Sequence, residues 1–175
     1  RDSAYAHLYK LPTTGLWFFT VYGPWGRPDM ALFKFINGIL NGDPIPVYNR
    51  GEMIRDFTYI DDIVEGVVRA IDRPPLLNSD YGNNTEVPTA PYQIYNIGKG
   101  NPVPLMRYIQ ALEKALGKNA KLELLPMQPG DVRATEADVS RLVSDLGYRP
   151  LIDVETGIAR FVEWYCDYYD VQLSD

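Results

Sequence analysis

The sequence predicts an α/β fold, and three observations carry that prediction. Segments rich in β-branched and aromatic residues alternate along the chain with segments of helical period, which is typical of α/β proteins. The 175 residues suffice for one ordinary domain. Hydrophobic residues make up 46% and charged residues 23%, so disordered and fibrous classes are excluded.

The net charge, the absence of long apolar runs and the scarcity of His and Cys exclude several classes of function. The formal net charge of -6 argues against general nucleic-acid binding, which needs a basic surface. No apolar run approaches the roughly 20 residues of a membrane span, and no secretion signal is visible, so we expect a cytoplasmic protein. His7 is the single histidine and Cys166 the single cysteine, which disfavours a metal site, a Ser-His-Asp triad and a disulfide. We expect Cys166 to be a small buried hydrophobe rather than a reactive thiol.

The first predicted element is a helix that ends near Leu11, because the residue before a proline is displaced from the helical region. This opening, which lacks an initiator Met, suggests a fragment. Residues 14–22 are almost continuously apolar and predict a strand buried on both faces. Asp29 is predicted to cap a helix over about residues 30–41, which Gly42 ends.

The middle of the chain continues the alternation. Residues 45–49 and 53–60 predict two strands. Asp61 and Asp62 then predict the N-cap of a helix over residues 63–73. Residues 74–91 are rich in Pro, Asn, Gly and Ser and predict an exposed surface loop.

The last part of the chain adds two strands and three helices. The predicted strands are residues 92–98 and 121–127. The second of them is expected to be half-buried and is followed by a Pro-Gly turn. The predicted helices are residues 101–117, 139–146 and 154–169.

One group of candidate site residues surrounds the break at Gly23-Pro24 and comprises Thr20, Tyr22, Arg27 and Asp29. Ligands of open α/β sheets bind where strands end, and an arginine fork suits carboxylate or phosphate oxygens. The alternative is that Arg27 simply pairs with Asp29 or another surface carboxylate.

Two further arginine-bearing turns follow. Arg55 and Asp56 leave a strand, so Arg55 could reach an anionic ligand, or the two could form a strand-edge salt bridge and a helix cap. Asp131 and Arg133 follow a Pro-Gly turn and could hold a ribose hydroxyl or a phosphate, or be an ordinary turn. The glycine-rich dinucleotide fingerprint and the Walker A loop are absent.

Five blocks of sequence resemble the nucleotide-sugar epimerases of the extended short-chain dehydrogenase/reductase superfamily, and most closely the UDP-glucuronate 4-epimerases. The resemblance spans residues 6–171. The blocks, in order, are LPTTGLWFFTVYGPWGRPDMALFKF, RDFTYIDDIVEGVVRAI, YNIGKGNPV, LPMQPGDV and FVEWYCDYY.

The resemblance implies the C-terminal part of an NAD(P)-binding Rossmann-type epimerase: the last strands of its parallel sheet plus the small substrate-binding α/β domain. Enzymes of this family are about twice as long, and their first half carries the NAD loop and a helix-borne Tyr-x-x-x-Lys pair, which this chain is expected to lack. Residues 1–28 and about 53–98 would pack with the absent Rossmann domain. Residues about 29–52 and 99–175 would form the nucleotide-sugar-binding lobe.

The resemblance also implies roles for single residues. Thr20 would lie beside the sugar C6 carboxylate, and Arg27 would clamp that carboxylate or a phosphate. Arg55 would bind the pyrophosphate and Asp131 the ribose. The main chain of Met30, Ala31, Leu32 and Phe33 would pass near the uracil, and Phe18, Tyr22, Gly23 and Pro24 would border the nicotinamide. The resemblance assigns no catalytic residue to this chain.

Two positions depart from the family pattern. Trp17 stands where the family usually has Arg, and is expected to alter strand packing or a nearby salt bridge. Arg133 replaces an apolar residue or Pro, and would either contact a phosphate or face solvent.

The implied function is the substrate-binding half of an NAD-dependent epimerase that converts UDP-glucuronate to UDP-galacturonate, inactive as an isolated chain. The alternatives are another nucleotide-sugar epimerase or a 4,6-dehydratase, or a non-catalytic UDP-sugar-binding or structural fragment. The expected partner is a UDP-sugar, with no nucleic acid and no membrane. A homodimer is left open, since the edge of the strand over residues 14–22 would favour self-association.

Overall fold

The structure, a computed structural model, describes residues 2–76 and 90–173. Its helices are α1 (Asp2–Tyr9), α2 (Ala31–Asn41), α3 (Ile60–Asp72), α4 (Leu105–Leu116), α5 (Ser140–Leu146) and α6 (Val154–Tyr169). Its strands are β1 (Thr13–Phe18), β2 (Thr20–Tyr22), β3 (Pro44–Val47), β4 (Ile54–Arg55), β5 (Phe57–Tyr59), β6 (Tyr92–Ile97), β7 (Val103–Pro104) and β8 (Lys121–Leu124). Most of the predicted surface loop, residues 77–89, lies outside the described residues. The alternation of strands and helices agrees with the predicted α/β class.

Strand pairing is mostly parallel within the described part of the chain. β1 pairs with β6, β2 with β5 and β3 with β8, each in parallel, whereas the two-residue strands β4 and β7 pair antiparallel. Parallel neighbours need crossover connections, which here contain helices, and this explains the alternation in the sequence.

The strand predicted over residues 14–22 is two strands. β1 ends at Phe18 and β2 begins at Thr20, because the chain changes partner from β6 to β5 at Phe19. Burial on both faces is also not observed, since the side chains of Trp17 and Phe18 are 66% and 46% exposed. Among the described strands β1 has β6 as its one neighbour, so its other edge pairs with no described strand.

The strand predicted over residues 53–60 also divides, at Asp56, into β4 and β5. β4 pairs with β7, which uses residues that were predicted to begin the following helix, so α4 starts only at Leu105. Gly42 and Gly117 end α2 and α4 in the left-handed conformation, as predicted, with φ of 72° and 64°.

Two predicted helix caps are wrong. Met30 occupies the N-cap position of α2, and Asp29 bonds to Arg27 instead of to the helix. α3 begins at Ile60, so Asp61 and Asp62 lie inside its first turn, where carboxylates are favourable to the helix dipole.

Two hydrophobic cores hold the elements together. The larger core joins α2, α4 and α6 to β2 and β5, with Phe57 stacked on Tyr108 at 4.1 Å between ring centroids. The smaller core joins α3, α5 and β6 around Ile97 and Leu142. Cys166 packs half-buried against the larger core, and burial raises the pKa of its thiol. Each core contains residues from both predicted parts of the chain, the part expected to pack with a Rossmann domain and the nucleotide-sugar-binding lobe. The division into these two parts stays a prediction.

β8 was predicted to be half-buried, but all four of its residues are exposed. It pairs only with β3 among the described strands, so both of its faces meet solvent. None of the helices in residues 2–76 and 90–173 is long and apolar enough to cross a membrane.

Candidate functional site

A cavity of about 430 Å³, here called the α2 cavity, opens beside the start of α2. It receives residues from β2, α2, β4 and the Pro-Gly turn, and it is lined by Thr20, Met30, Ala31, Lys34, Phe35, Pro46, Tyr48, Met53, Arg55, Phe57, Leu105, Gln128 and Asp131. Five residues that were predicted from three separate motifs to bind substrate line this one cavity: Thr20, Met30, Ala31, Arg55 and Asp131.

Arg55 is the best-anchored charge of the α2 cavity. Its Nη2 donates to Asp131 Oδ1 at 2.8 Å, and its Nη1 donates to the carbonyls of Ile54 at 2.9 Å and Arg133 at 3.2 Å. The side chain is only 15% exposed. The salt-bridge alternative for Arg55 is therefore realised, but with Asp131 from another motif and not with neighbouring Asp56. The same pair presents one cation and one carboxylate to the cavity.

The turn that carries Asp131 is attached to β4 by its main chain. The amide of Ile54 donates to the Arg133 carbonyl at 2.9 Å, and the amide of Thr135 donates to the Ile54 carbonyl at 3.2 Å. The Arg133 side chain points away: it is 71% exposed, and its nearest charged partner is Glu52 at 3.9 Å. Of the two alternatives for Arg133, the structure shows the solvent-facing one.

A second cavity of about 510 Å³, here called the turn cavity, surrounds residues 23–27. It is lined by all four residues that were predicted to border a nicotinamide, together with Arg27 and others: Phe18, Phe19, Val21, Tyr22, Gly23, Pro24, Trp25, Gly26, Arg27, Met30 and Ile60. Met30 lines both cavities, so the two spaces are neighbours.

The backbone of this turn has little freedom. A Cβ on Gly23, which has a φ of 140°, would approach Ile60 Cγ2 to 2.6 Å, so only glycine fits. Trp25 adopts a left-handed φ of 60°, and its ring packs on Trp164 at 5.3 Å and Tyr168 at 5.0 Å. The sequence analysis did not predict this contact of the turn with α6. The signal for it was that both segments are rich in aromatic residues.

Arg27 and Asp29 form a bidentate ion pair at the mouth of the turn cavity. Arg27 Nε donates to Asp29 Oδ1 at 3.0 Å, and Nη2 contacts Oδ2. This hydrogen-bonded pairing raises the pKa of Arg27 and lowers the pKa of Asp29. Both side chains are exposed, so Arg27 can exchange this partner for another anion at small cost.

Three residues of the predicted site turn their side chains into the larger core: Tyr22, Leu32 and Phe33. For Leu32 and Phe33 the predicted role is a main-chain one, which this burial of the side chains permits. The Tyr22 ring lies among Phe57, Tyr59 and Tyr108, and burial raises the pKa of its hydroxyl.

The spacing Tyr-x-x-x-Lys does occur in this chain, at Tyr95 and Lys99, but on β6 and the bend after it. Such a pair is adjacent on a helix, whereas an extended strand separates the two residues by roughly 13 Å. The Tyr95 hydroxyl donates to Asp145 at 3.3 Å, and Lys99 Nζ donates to the Pro150 carbonyl at 3.0 Å. Burial raises the pKa of Tyr95, which is opposite to what proton abstraction requires. The two are structural residues.

Asp56 and Asp62 are buried carboxylates, which sequence reasoning did not foresee. Asp56 accepts hydrogen bonds from the amides of Lys99, Gly100 and Ala137, each at 2.9 Å. Asp62 accepts from the Tyr148 hydroxyl and from the amides of residues 151 and 152. Neither caps a helix: Tyr59 occupies the N-cap position of α3. The available signal was that both aspartates lie next to apolar residues of strands or helices, Asp56 before Phe57 and Asp62 before Ile63.

A third cavity, of about 460 Å³, is lined by residues 136–140 with Gly100 and Arg149, and contains no predicted site residue. Within the described ranges, no three His, Cys, Asp or Glu side chains group in a way that could hold a metal ion.

Comparison with known proteins identifies the family of the chain that forms these two neighbouring cavities. The sequence profile of the NAD dependent epimerase/dehydratase family matches residues 3–98, more than half of the chain. The chain belongs to this family. This confirms the family that the sequence blocks indicated, the first two of which lie within the matched residues, and the family is NAD-dependent by its description.

Relatives of this epimerase-family chain include a Rhizobium meliloti protein named "Probable UDP-glucuronate 4-epimerase", 51% identical over 95% of this chain and 50% of that protein. A Bacillus cereus UDP-glucuronic acid 4-epimerase, solved with UDP-glucuronic acid and NAD, matches with 31% identity and a TM-score of 0.78 over 95% of this chain and 49% of its own. A Thermotoga maritima UDP-glucose 4-epimerase, solved with UDP-glucose, matches with 25% identity and a TM-score of 0.77 over 95% of this chain and 50% of its own.

These matches agree with the predicted Rossmann-type epimerase fold. The chain spans about half the length of the curated relatives it matches.

Proposed function

We propose that this chain forms the nucleotide-sugar-binding half of an NAD-dependent 4-epimerase that interconverts UDP-glucuronate and UDP-galacturonate. The observation that carries the proposal is the α2 cavity, which collects Arg55 and Asp131 from positions 76 residues apart and is also lined by Thr20. Relatives named as UDP-glucuronate 4-epimerases support the choice of sugar.

The donors and acceptors of the α2 cavity suit a uridine diphosphate. Arg55 is pre-ordered by two carbonyls, so its guanidinium can bind diphosphate oxygens with little loss of side-chain entropy. The Asp131 carboxylate is an acceptor for ribose hydroxyls. Main-chain groups of residues 30–33, at the start of α2, are available to the uracil edge. Apolar walls from Phe35 and Phe57 exclude water from these contacts.

A uronate substrate requires a further anion site, and Thr20 and Arg27 can provide it. Thr20 lies at the start of β2 on the α2-cavity side, while Arg27 lines the adjoining turn cavity. When a sugar carboxylate enters, Arg27 exchanges Asp29 for the substrate. Because the Arg27–Asp29 pair is solvent-exposed, this exchange costs little free energy.

The turn cavity fits one face of a nicotinamide. Phe18, Gly23 and Pro24 make an apolar wall on which a flat ring can lie, and Gly23 leaves no side chain in the way. When bound, NAD supplies reversible hydride transfer at the sugar C4. This chain contributes a wall only, since its sequence contains no glycine-rich dinucleotide fingerprint. We therefore expect the isolated 175-residue chain to form no UDP-galacturonate from UDP-glucuronate; product from a rigorously pure sample would contradict this.

Calorimetric titration of the chain with UDP tests the nucleotide site. We expect Arg55→Ala to weaken UDP binding by about tenfold or more, because a hydrogen-bonded charge typically contributes 1.5–3 kcal/mol. Arg133→Ala is the matched control: it removes the same charge from the adjoining turn that carries Asp131, but its side chain faces solvent, so binding should stay unchanged. Equal loss in both variants would show nonspecific attraction and contradict the proposal.

A neutral-hexose epimerase is the second candidate, favoured by the Thermotoga maritima neighbour with UDP-glucose and by the engagement of Arg27 with Asp29. Titration of the chain with UDP-glucuronate and UDP-glucose separates the two. We expect tighter binding of the uronate, with the preference lost in Arg27→Ala. Equal binding of both sugars would favour the neutral hexose.

A further inference from the structure

We propose that Asp56 is a positioning residue of the nucleotide site: its buried carboxylate holds residues 131–137 along β4 and thereby sets Asp131 beside Arg55. The inference rests on the proposed function only where it concerns UDP affinity.

The contacts of residues 54–56 with residues 131–137 form one continuous series. Arg55 Nη2 bonds to the Asp131 carboxylate, and Ile54 exchanges amide and carbonyl bonds with Arg133 and Thr135. The amide of Asp56 contacts Thr135 Oγ1 at 3.5 Å, and its carboxylate accepts the Ala137 amide at 2.9 Å. The Asp56 carboxylate is thus the last and most buried attachment of the segment that carries Asp131.

The same carboxylate joins this segment to a third part of the chain. It accepts the amides of Lys99 and Gly100, which follow β6, so three donors converge on two oxygens. Gly98, Ala137 and Asp56 pack closely: a Cβ on Gly98 would lie 2.4 Å from Ala137 Cβ and 3.1 Å from Asp56 Oδ2.

Only a carboxylate satisfies this arrangement. An ionised aspartate is purely an acceptor, and its bonds to main-chain amides are charge-assisted. In Asp56→Asn one oxygen becomes an NH2 group that faces N–H donors, so at least one buried amide loses its partner. If the NH2 group replaces Oδ2, the Ala137 amide loses its partner; if it replaces Oδ1, the bond from Ala137 is kept but loses its charge assistance. In both cases the segment is held more weakly to β4, and Asp131 is fixed less firmly beside Arg55.

Asp62 offers a matched control for this change. Its carboxylate is also buried, and it also receives three hydrogen bonds: from the Tyr148 hydroxyl at 2.8 Å and from the amides of Leu151 at 3.1 Å and Ile152 at 2.9 Å. None of these residues lines the α2 cavity. Asp62→Asn therefore removes a comparable buried network at a distance from the nucleotide site.

The experiment compares the chain with its Asp56→Asn and Asp62→Asn variants by urea denaturation, amide hydrogen exchange and calorimetric titration with UDP. We expect both variants to lose global stability. Asp56→Asn alone should accelerate exchange at Ile54 and Thr135, relative to Asp62→Asn, and weaken UDP binding about tenfold or more; Asp62→Asn should change UDP affinity less than about twofold.

Equal acceleration of exchange at Ile54 and Thr135 in the two variants would overturn the proposal. So would unchanged UDP affinity in Asp56→Asn when the parent chain binds UDP. If the parent chain binds no UDP, the proposed function fails, and the exchange measurement still decides whether Asp56 holds the segment. If Asp56→Asn does not fold, Gly98→Ala is the second variant, because its added Cβ would displace Ala137 while the Asp56 carboxylate stays intact. Gly98→Ala should then accelerate exchange at Ile54 and Thr135 in the same way. Unchanged exchange at these two amides would overturn the proposal.

Discussion

Arg27 and Arg55 carry the same charge into different surroundings, and this difference sets what each can do. Arg55 is mostly buried and held by two carbonyls and a carboxylate, so its position is fixed before any ligand arrives. Arg27 is exposed, and its partner among the described residues is Asp29, two residues away. The first arrangement favours affinity for a diphosphate, whereas the second leaves a cation that can change partners.

Thr58 is a residue whose hydroxyl the fold leaves unused. It is fully buried on β5, and its Oγ1 has no hydrogen-bond partner among the described residues. A buried hydroxyl without a partner has lost its hydration and gained nothing in return.

We expect Thr58→Val to raise the free energy of unfolding by roughly 1 kcal/mol, because it removes this unsatisfied group while preserving the branched shape. Urea denaturation of the chain measures the change. Thr135→Val is the comparison, since the Thr135 hydroxyl accepts from the Asp56 amide and its loss should not stabilise. Destabilisation by Thr58→Val would mean that the hydroxyl has a partner after all.

Among the helices, α6 shows how one element is tied at both ends. At its start, the Asp153 carboxylate accepts the Thr156 amide at 2.7 Å, and Glu155 pairs with Arg107 of α4. Near its end, Trp164 packs against Trp25 of the 23–27 turn. In between, a Cβ on Gly157 would lie 2.1 Å from the Tyr22 hydroxyl, so the helix lies directly on β2. The helix therefore supports the turn that presents Arg27.

The Asp153 cap makes part of this attachment dependent on pH. Its hydrogen bond with Thr156 lowers the pKa of Asp153 in the folded chain. A lowered folded pKa means that the stabilisation is complete above the unfolded value of about 4 and is lost as the pH falls through the folded value.

We therefore expect Asp153→Ala to cost about 1 kcal/mol in unfolding free energy at pH 7, the usual value of an N-cap. The penalty should shrink as the pH falls below about 4, because the parent chain then loses its charged cap as well. Urea denaturation across this pH range measures both effects. Asp153→Asn keeps a capping acceptor and should lie near the parent at pH 7; a penalty in Asp153→Ala that did not change with pH would contradict the assignment.

On the scale of the whole molecule, the pair of strands β1 and β6 carries exposed apolar side chains on one of its faces, here called the β1 face. Trp17 and Ile94 are exposed there: the register pairs Ile94 with Gly15, and Gly15 shares a face with Trp17 because alternate residues of a strand lie on the same side. Surfaces of this kind favour association when nothing covers them. The chain also spans about half the length of its curated relatives.

We expect the isolated chain to self-associate through this face, and Trp17→Thr to shift the monomer–oligomer equilibrium toward monomer by several-fold, since it removes a large exposed aromatic ring from a strand. Analytical ultracentrifugation over a concentration series measures the shift. Leu151→Thr removes an apolar side chain of similar exposure from elsewhere and should have no effect. An equal response of the two variants would point to general hydrophobicity instead of the β1 face.

Several features of this protein follow from its sequence alone. The helical periods of α2, α4 and α6 and the glycines that end α2 and α4 are local signals, because a helix is stabilised by residues three and four apart and closed by a residue that tolerates positive φ. The alternation of strand-like and helix-like segments is also a local signal, and it predicted the α/β class. The five sequence blocks identified the family, and the profile match confirmed it.

Only the tertiary structure decided how the candidate site is assembled. The change of strand partner at Phe19, the pairing of Arg55 with Asp131 and the burial of Asp56 all depend on residues far apart in the chain. An aspartate before a helix has the same local pattern whether it caps that helix, bonds an arginine or accepts amides from a distant segment. The choice is made by which donors the folded chain brings within 3 Å, and no local pattern contains that distance.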